Sequence, residues 1–124
     1  MESREWEVGK PHEQLEAWKL SKQLAKAVYA LTTGFPTEER YGLSQQMRRA
    51  AVSIPSNLAE GAARASAKER AHFISIARGS QSELDTQLQL AVMLGWLPET
   101  HEIFELSDRV GRLLTGLHRK WSPE

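Results

Sequence analysis

Arg48-Arg49-Ala50-Ala51-Val52-Ser53-Ile54-Pro55-Ser56-Asn57-Leu58-Ala59-Glu60-Gly61 carries a helical pattern straight through a proline. Met47, Ala50/Ala51, Ile54 and Leu58 recur at three- and four-residue spacing, the period at which one face of an α-helix turns toward a core. Pro55 lacks an N–H and its ring crowds the carbonyl four residues back, so a kink is expected there. The small residues before it permit close backbone approach, and Ser56 and Asn57 carry side chains able to hydrogen-bond the groups a kink frees. Gly61 marks the end of this helix.

Working outward, the same period predicts three more helices. The first runs from about His12 to Thr32 with Ala17, Leu20, Leu24, Val28 and Leu31 on one face, and Thr33-Gly34-Phe35-Pro36 ends it. The proline-bearing helix then begins near Thr37, a candidate N-cap followed by Glu38 and Glu39 at the positive end of the helix dipole. The third opens on the capping-box pattern Ser66-Ala67-Lys68-Glu69 and continues through Phe73, Ile76/Ala77, Ser80, Leu84, Gln87/Leu88, Ala91 and Leu94 to Gly95. The fourth follows Pro98 with Ile103, Leu106, Val110, Leu113/Leu114, Leu117 and Trp121. The expected fold class is all-α, an antiparallel up-down four-helix bundle in a single domain spanning residues 1–124, with residues 1–11 as an N-terminal extension.

Composition agrees. Leu and Ala supply 29 residues against nine for Val and Ile, which favours helix because β-branching costs rotamer freedom there. A chain of 124 residues can close a core without staples, and with no cysteine it has no disulfide or thiolate metal site. The opening residues lack a secretory pattern and no segment approaches a membrane-spanning run, so the cytoplasm is the expected compartment, with no membrane partner.

Some apolar residues exceed what one bundle needs. Leu15, Trp18, Ala25 and Tyr29 form a second row on the first helix, while Val52, Ile74 and Val92 fall outside the core stripes of theirs. A row containing Trp asks for a partner, and self-association with Leu15, Trp18, Tyr29, Val52, Ile74 and Val92 at the interface is the expectation. Gly79, in the middle of the third helix where glycine is unfavourable, is expected to serve a close helix contact.

A net charge of zero conceals segregation. Residues 40–79 carry seven bases against Glu60 and Glu69, whereas residues 80–108 carry six acids and no base. Opposite the core of the proline-bearing helix lie Gln45, Arg48, Arg49 and Val52, a basic, amide-bearing surface able to meet phosphates. The same arginines can instead be solvated, or pair with acids of the third and fourth helices or of a neighbouring subunit. Glu60 suits a partner for a nearby arginine better than a catalytic base. The four histidines show no metal-ligand spacing, the serines no nucleophile-elbow context, and no glycine-rich phosphate loop occurs. No enzyme, metal or cofactor is expected.

The run from Arg48 to Gly61 closely resembles the signature of the bacterial four-helix-bundle family of 23S ribosomal RNA intervening-sequence proteins. Leu15-Glu16-Ala17-Trp18, Phe35-Pro36, Tyr41-Gly42-Leu43, Ile76-Ala77-Arg78-Gly79-Ser80, Glu83-Leu84, Thr86-Gln87-Leu88 and Leu94-Gly95 resemble further family motifs in the family's order. The likeness covers about Leu15 to Leu97, with little in the first dozen residues or the fourth helix. It implies a ring-shaped homo-oligomer, a homopentamer, and supplies no activity. A more distant similarity, to accessory proteins of diversity-generating retroelements, implies binding to nucleic acid and to a reverse transcriptase, with Arg48, Arg49 and Arg78 as RNA or DNA contacts. Alternatively the shared arginines, Asn57 and Glu60 hold bundle and ring together, with Pro55, Gly61 and Gly79 as further structural positions of the motif. The sequence thus leaves two functions open: a nucleic-acid-binding accessory oligomer, or a protein-interaction scaffold that binds no nucleic acid.

Overall fold

The computed structural model describes residues 11–122, apart from the side chains of Glu13 and Gln14; most of the predicted N-terminal extension lies outside the described residues. Four α-helices build it: α1 (Glu16–Thr33), α2 (Leu43–Ala62), α3 (Ala67–Met93) and α4 (Ile103–Trp121), with short 3-10 turns at Pro11–Gln14 and Thr37–Glu39. No strand occurs among the described residues. Each helix packs on its neighbours in the chain, and α4 closes the circuit against α1.

The core is made by the predicted stripes. Leu24, Val28, Met47, Ile54, Leu58, Leu84, Leu88, Val110 and Leu114 are fully buried. Each large aliphatic side chain so buried contributes about 1.5–3 kcal/mol of hydrophobic stabilisation. Residues on a second ring, including Trp18, Ala25, Leu31, Val92, Leu113 and Leu117, pack half-buried against it.

Several boundaries and faces differ from the expectation. The first helix proper begins at Glu16, after a 3-10 turn. Thr37 opens another 3-10 turn, not α2, which starts six residues later, and Glu39 serves the helix end from outside by accepting the Leu43 N–H at 3.0 Å. Ile74, expected on an outward face, is wholly buried, while Ile76 and Leu94, expected in the core, are 39% and 54% exposed. Trp18 is not a free surface residue: its ring packs on the core, edge-on to His12, with the Lys22 ammonium 3.6 Å from its centroid. Val92 is likewise half-buried against the core, and Leu15 half-buried beside α4.

α2 continues through Pro55 from Leu43 to Ala62. Pro55 leaves the Ala51 carbonyl without its helical donor; the two residues expected to serve it bond the next carbonyls instead, Ser56 Oγ donating to the Val52 carbonyl at 2.8 Å and Asn57 Nδ2 to the Ser53 carbonyl at 2.8 Å. Ser80 Oγ of α3 reaches Ser53 Oγ at 2.8 Å, tying the two helices at mid-length. The α2–α3 junction closes over Gly61, where an added Cβ would lie 3.0 Å from the Cβ of Phe73 and 3.3 Å from the Arg70 carbonyl. Ser66 caps α3 by accepting the Glu69 N–H at 3.0 Å. Gly95, at φ 82°, turns the chain away from its other end, a conformation other residues rarely adopt.

Gly79 overturns its expectation. A Cβ there would meet no described residue of the chain within 4 Å, so no close contact between the four helices of the bundle requires the glycine. Only helix propensity remains, and Gly79→Ala is expected to raise stability by about 1 kcal/mol. Thermal denaturation followed by circular dichroism checks the sign, and a lowered midpoint would restore a packing role.

Candidate nucleic-acid interface

The outward side of α2 begins two residues before the helix itself, at Tyr41. Tyr41, Gln45, Arg48 and Val52 succeed one another at four-, three- and four-residue steps, a row on one side of α2. α1 lies along that side, and the two helices with the preceding turn form an open cleft of about 570 Å³. Tyr29 comes from α1, Arg40 and Tyr41 from the turn, and Gln45, Arg48, Arg49, Val52 and Ser53 from α2.

Arg48 is the most constrained of the cations. Its Nε donates to Thr32 Oγ1 at 2.8 Å, its Nη2 lies 3.4 Å from both the Tyr29 carbonyl and Thr33 Oγ1, and its guanidinium carbon sits 4.6 Å from the centroid of the Tyr29 ring. Thr32 is buried and donates its own hydroxyl to the Val28 carbonyl at 2.7 Å, so the acceptor that holds Arg48 is itself fixed. The guanidinium is therefore oriented by neutral groups and keeps its full charge for an outside anion, with Nη1 hydrogen-bonded to no described residue. Arg40 lies 5.8 Å from the Tyr41 ring centroid, and Arg49 is exposed. Among the described residues no carboxylate lines the cleft.

The pairing of these arginines with acids, one of the readings open in the sequence, is not made among the described residues. The ion pair found there is Glu60–Arg64, 3.1 Å apart and one helical turn from each other. At such exposure it contributes about 0.3–0.5 kcal/mol. Asp85 instead accepts from Gln89 at 2.9 Å, and Glu102 and Glu105 line a separate groove with Arg109 on the α4 side.

Gln45, Arg48, Arg49, Val52 and Tyr29 are thus gathered in one cleft, although the sequence pattern sets Tyr29 and Val52 at a subunit interface. They are 46% and 42% exposed. Arg78 is not gathered. On α3, Ser80 faces α2, whereas Gln81 faces α4 and donates to the Ser107 carbonyl at 3.1 Å. Arg78, three residues before Gln81, shares the α4 flank. Three lining residues escape the sequence reading, Arg40, Tyr41 and Ser53. The signal is present, since Tyr41 extends the Gln45–Arg48–Val52 row by one turn.

Fold and cleft together define a four-helix all-α protein with a cleft of arginines and tyrosines between its first two helices. The chain belongs to the family of the 23S rRNA-intervening sequence protein, whose model matches residues 13–116. The match extends through most of α4, further than the motif resemblance, which stops at Leu97. Among curated proteins no match to the chain is found.

Proposed function

We propose that the protein is a non-enzymatic, homo-oligomeric accessory protein of the bacterial cytoplasm that binds RNA or DNA through the α1–α2 cleft. The observation that carries the reading is the Arg48 guanidinium, held by Thr32, Thr33 and the Tyr29 carbonyl beside Arg40 and Arg49, with no carboxylate among the described lining residues. Guanidiniums so placed suit phosphate oxygens, and the remaining phenols, amide and hydroxyl suit sugars and bases. These groups hold a polyanion and assign the protein no chemical step.

The architecture proposed with it is an antiparallel up-and-down bundle bent in α2 at Pro55. Supporting it are the packing of each helix on its chain neighbours and the donor missing at Pro55. No described helix is long and apolar enough to cross a membrane. Assembly, as a homopentamer by family resemblance, is supported by large apolar side chains left open, among them Ile76, Leu90, Met93 and Leu94 along α3. A ring would repeat the cleft once per subunit, so several weak phosphate contacts act together. A reverse transcriptase is a further candidate partner, and a gene beside one, or within a ribosomal RNA gene, favours nucleic acid.

The test is fluorescence anisotropy with labelled RNA and DNA over a salt series, with light scattering on the same samples. Binding is expected to weaken with a log–log slope of about 0.9 per phosphate neutralised on duplex DNA and about 0.7 on single strands. An oligomer with no affinity at low salt would overturn the nucleic-acid function and leave the protein-interaction scaffold. A monomer at micromolar concentration would overturn the assembly.

A further inference from the structure

The most exposed aromatic side chain of the cleft has no structural task that accounts for it. Tyr41 is 80% exposed, sits immediately before α2, and is approached by the Arg40 guanidinium at 5.8 Å. Across the cleft Tyr29 offers a second ring, covered by Arg48. A duplex presents a protein with phosphates and groove edges, so a flat ring gains little from it. A single strand presents unstacked base faces, and any base can lie on a tyrosine because every base has a π-face. The cleft, at about 570 Å³, falls within the ~300–1,000 Å³ of sites that enclose small ligands. That leaves room for a base with its flanking phosphates.

Resting on the reading of this cleft as a nucleic-acid site, we propose that its ligand is a single strand, with one base stacked on Tyr41 and the adjacent phosphates held by Arg40, Arg48 and Arg49. Arg48 is oriented in advance by Thr32 and Thr33, so it marks a fixed phosphate position. Arg40, beside the Tyr41 ring, completes the grip on the nucleotide that stacks. Because stacking reads no hydrogen-bond pattern, sequence preference is weak. RNA and DNA strands share this chemistry.

The experiment compares the full chain with Tyr41→Ala and Tyr41→Phe, using labelled oligouridylate, oligothymidylate and a mixed-sequence DNA duplex at one low salt concentration. Both single strands are expected to bind more tightly than the duplex. Tyr41→Ala should weaken single-strand binding about tenfold and duplex binding by clearly less, whereas Tyr41→Phe, which keeps the ring, should retain most of the parent's single-strand affinity. If only oligouridylate responds to Tyr41→Ala, the stacked strand is RNA; if both respond, the 2′-hydroxyl plays no part. Equal affinity for duplex and single strands, or no effect of Tyr41→Ala, would overturn the stacking proposal while the cleft remains a nucleic-acid site. No binding to any probe would overturn the cleft reading and this proposal with it. Tyr41 is exposed and precedes the helix, so its loss should leave the helical circular dichroism unchanged.

Discussion

Gly61→Leu is expected to lower the stability of the protein by about 3 kcal/mol, the upper end for overpacking a close helix junction. A side chain at this position is crowded from its first carbon. Its nearest neighbours are the Phe73 Cβ and the Arg70 carbonyl, both attached to the α3 backbone and unable to swing aside as a long side chain would, and the Trp121 ring stands 3.5 Å away. A leucine must push α3 away from α2 or unwind the end of α2, opening the core around Leu58 and Ile74. In a chain of this length the destabilisation corresponds to a fall of roughly 10 °C in melting midpoint. Circular dichroism thermal scans at two protein concentrations check it. A midpoint within about 2 °C of the parent would mean that the junction yields at little cost.

In the sequence Gly61 reads as a helix end and Gly79 as a mid-helix glycine in need of a close contact, and the structure reverses their packing roles. What separates them is the surface opposite, Phe73 and Arg70 in one case and open space in the other, which only the tertiary arrangement supplies. The same limit explains Ile74 and Ile76. Phe73, Ile74, Ile76 and Ala77 crowd five positions, so the period admits more than one choice of inward face. α3 is clasped by α2 on one flank and α4 on the other, which broadens its buried stripe and takes in Ile74 at the expense of Ile76. Where apolar residues are sparse and strictly periodic, as with Met47, Ile54 and Leu58 on α2, the core is legible from the sequence.

The second apolar row of α1 is legible as a pattern, but its destination is not the one the pattern suggests. Trp18 and Ala25 are half-buried on the core of their own subunit, and of the row only Tyr29 remains largely open. A period reports angular separation on one helix, not how far neighbouring helices wrap around it. The arginine face follows from the same kind of row and does gather, because α2 alone supplies Gln45, Arg48, Arg49 and Val52. Tyr29 joins them through the register between α1 and α2, which is set by the packing of their core stripes and places Thr32 within reach of Arg48, a long-range arrangement that no local spacing encodes.

The double variant Arg48→Ala/Arg49→Ala is expected to bind nucleic acid about a hundredfold more weakly at low salt while its fold and oligomeric mass stay unchanged. Each charge-assisted hydrogen bond to a phosphate contributes on the order of 1.5 kcal/mol, close to a factor of ten, and two are removed from each cleft. The slope against salt should fall too, by about 0.7 for every phosphate of a single strand that is no longer neutralised. Little is asked of the fold. Arg49 is exposed, and removal of the Arg48 side chain frees one acceptor site on Thr32, whose hydroxyl still donates to the Val28 carbonyl. Anisotropy over a salt series, with light scattering on the same samples, separates the two functions left open by the sequence. Reduced affinity and a shallower slope at unchanged mass place the arginines on phosphates. Dissociation of the oligomer would instead assign them to the subunit interface, since neither arginine meets a carboxylate among the described residues and an acidic partner would then have to come from a neighbour. Unchanged affinity at unchanged mass would remove the cleft from the binding surface altogether.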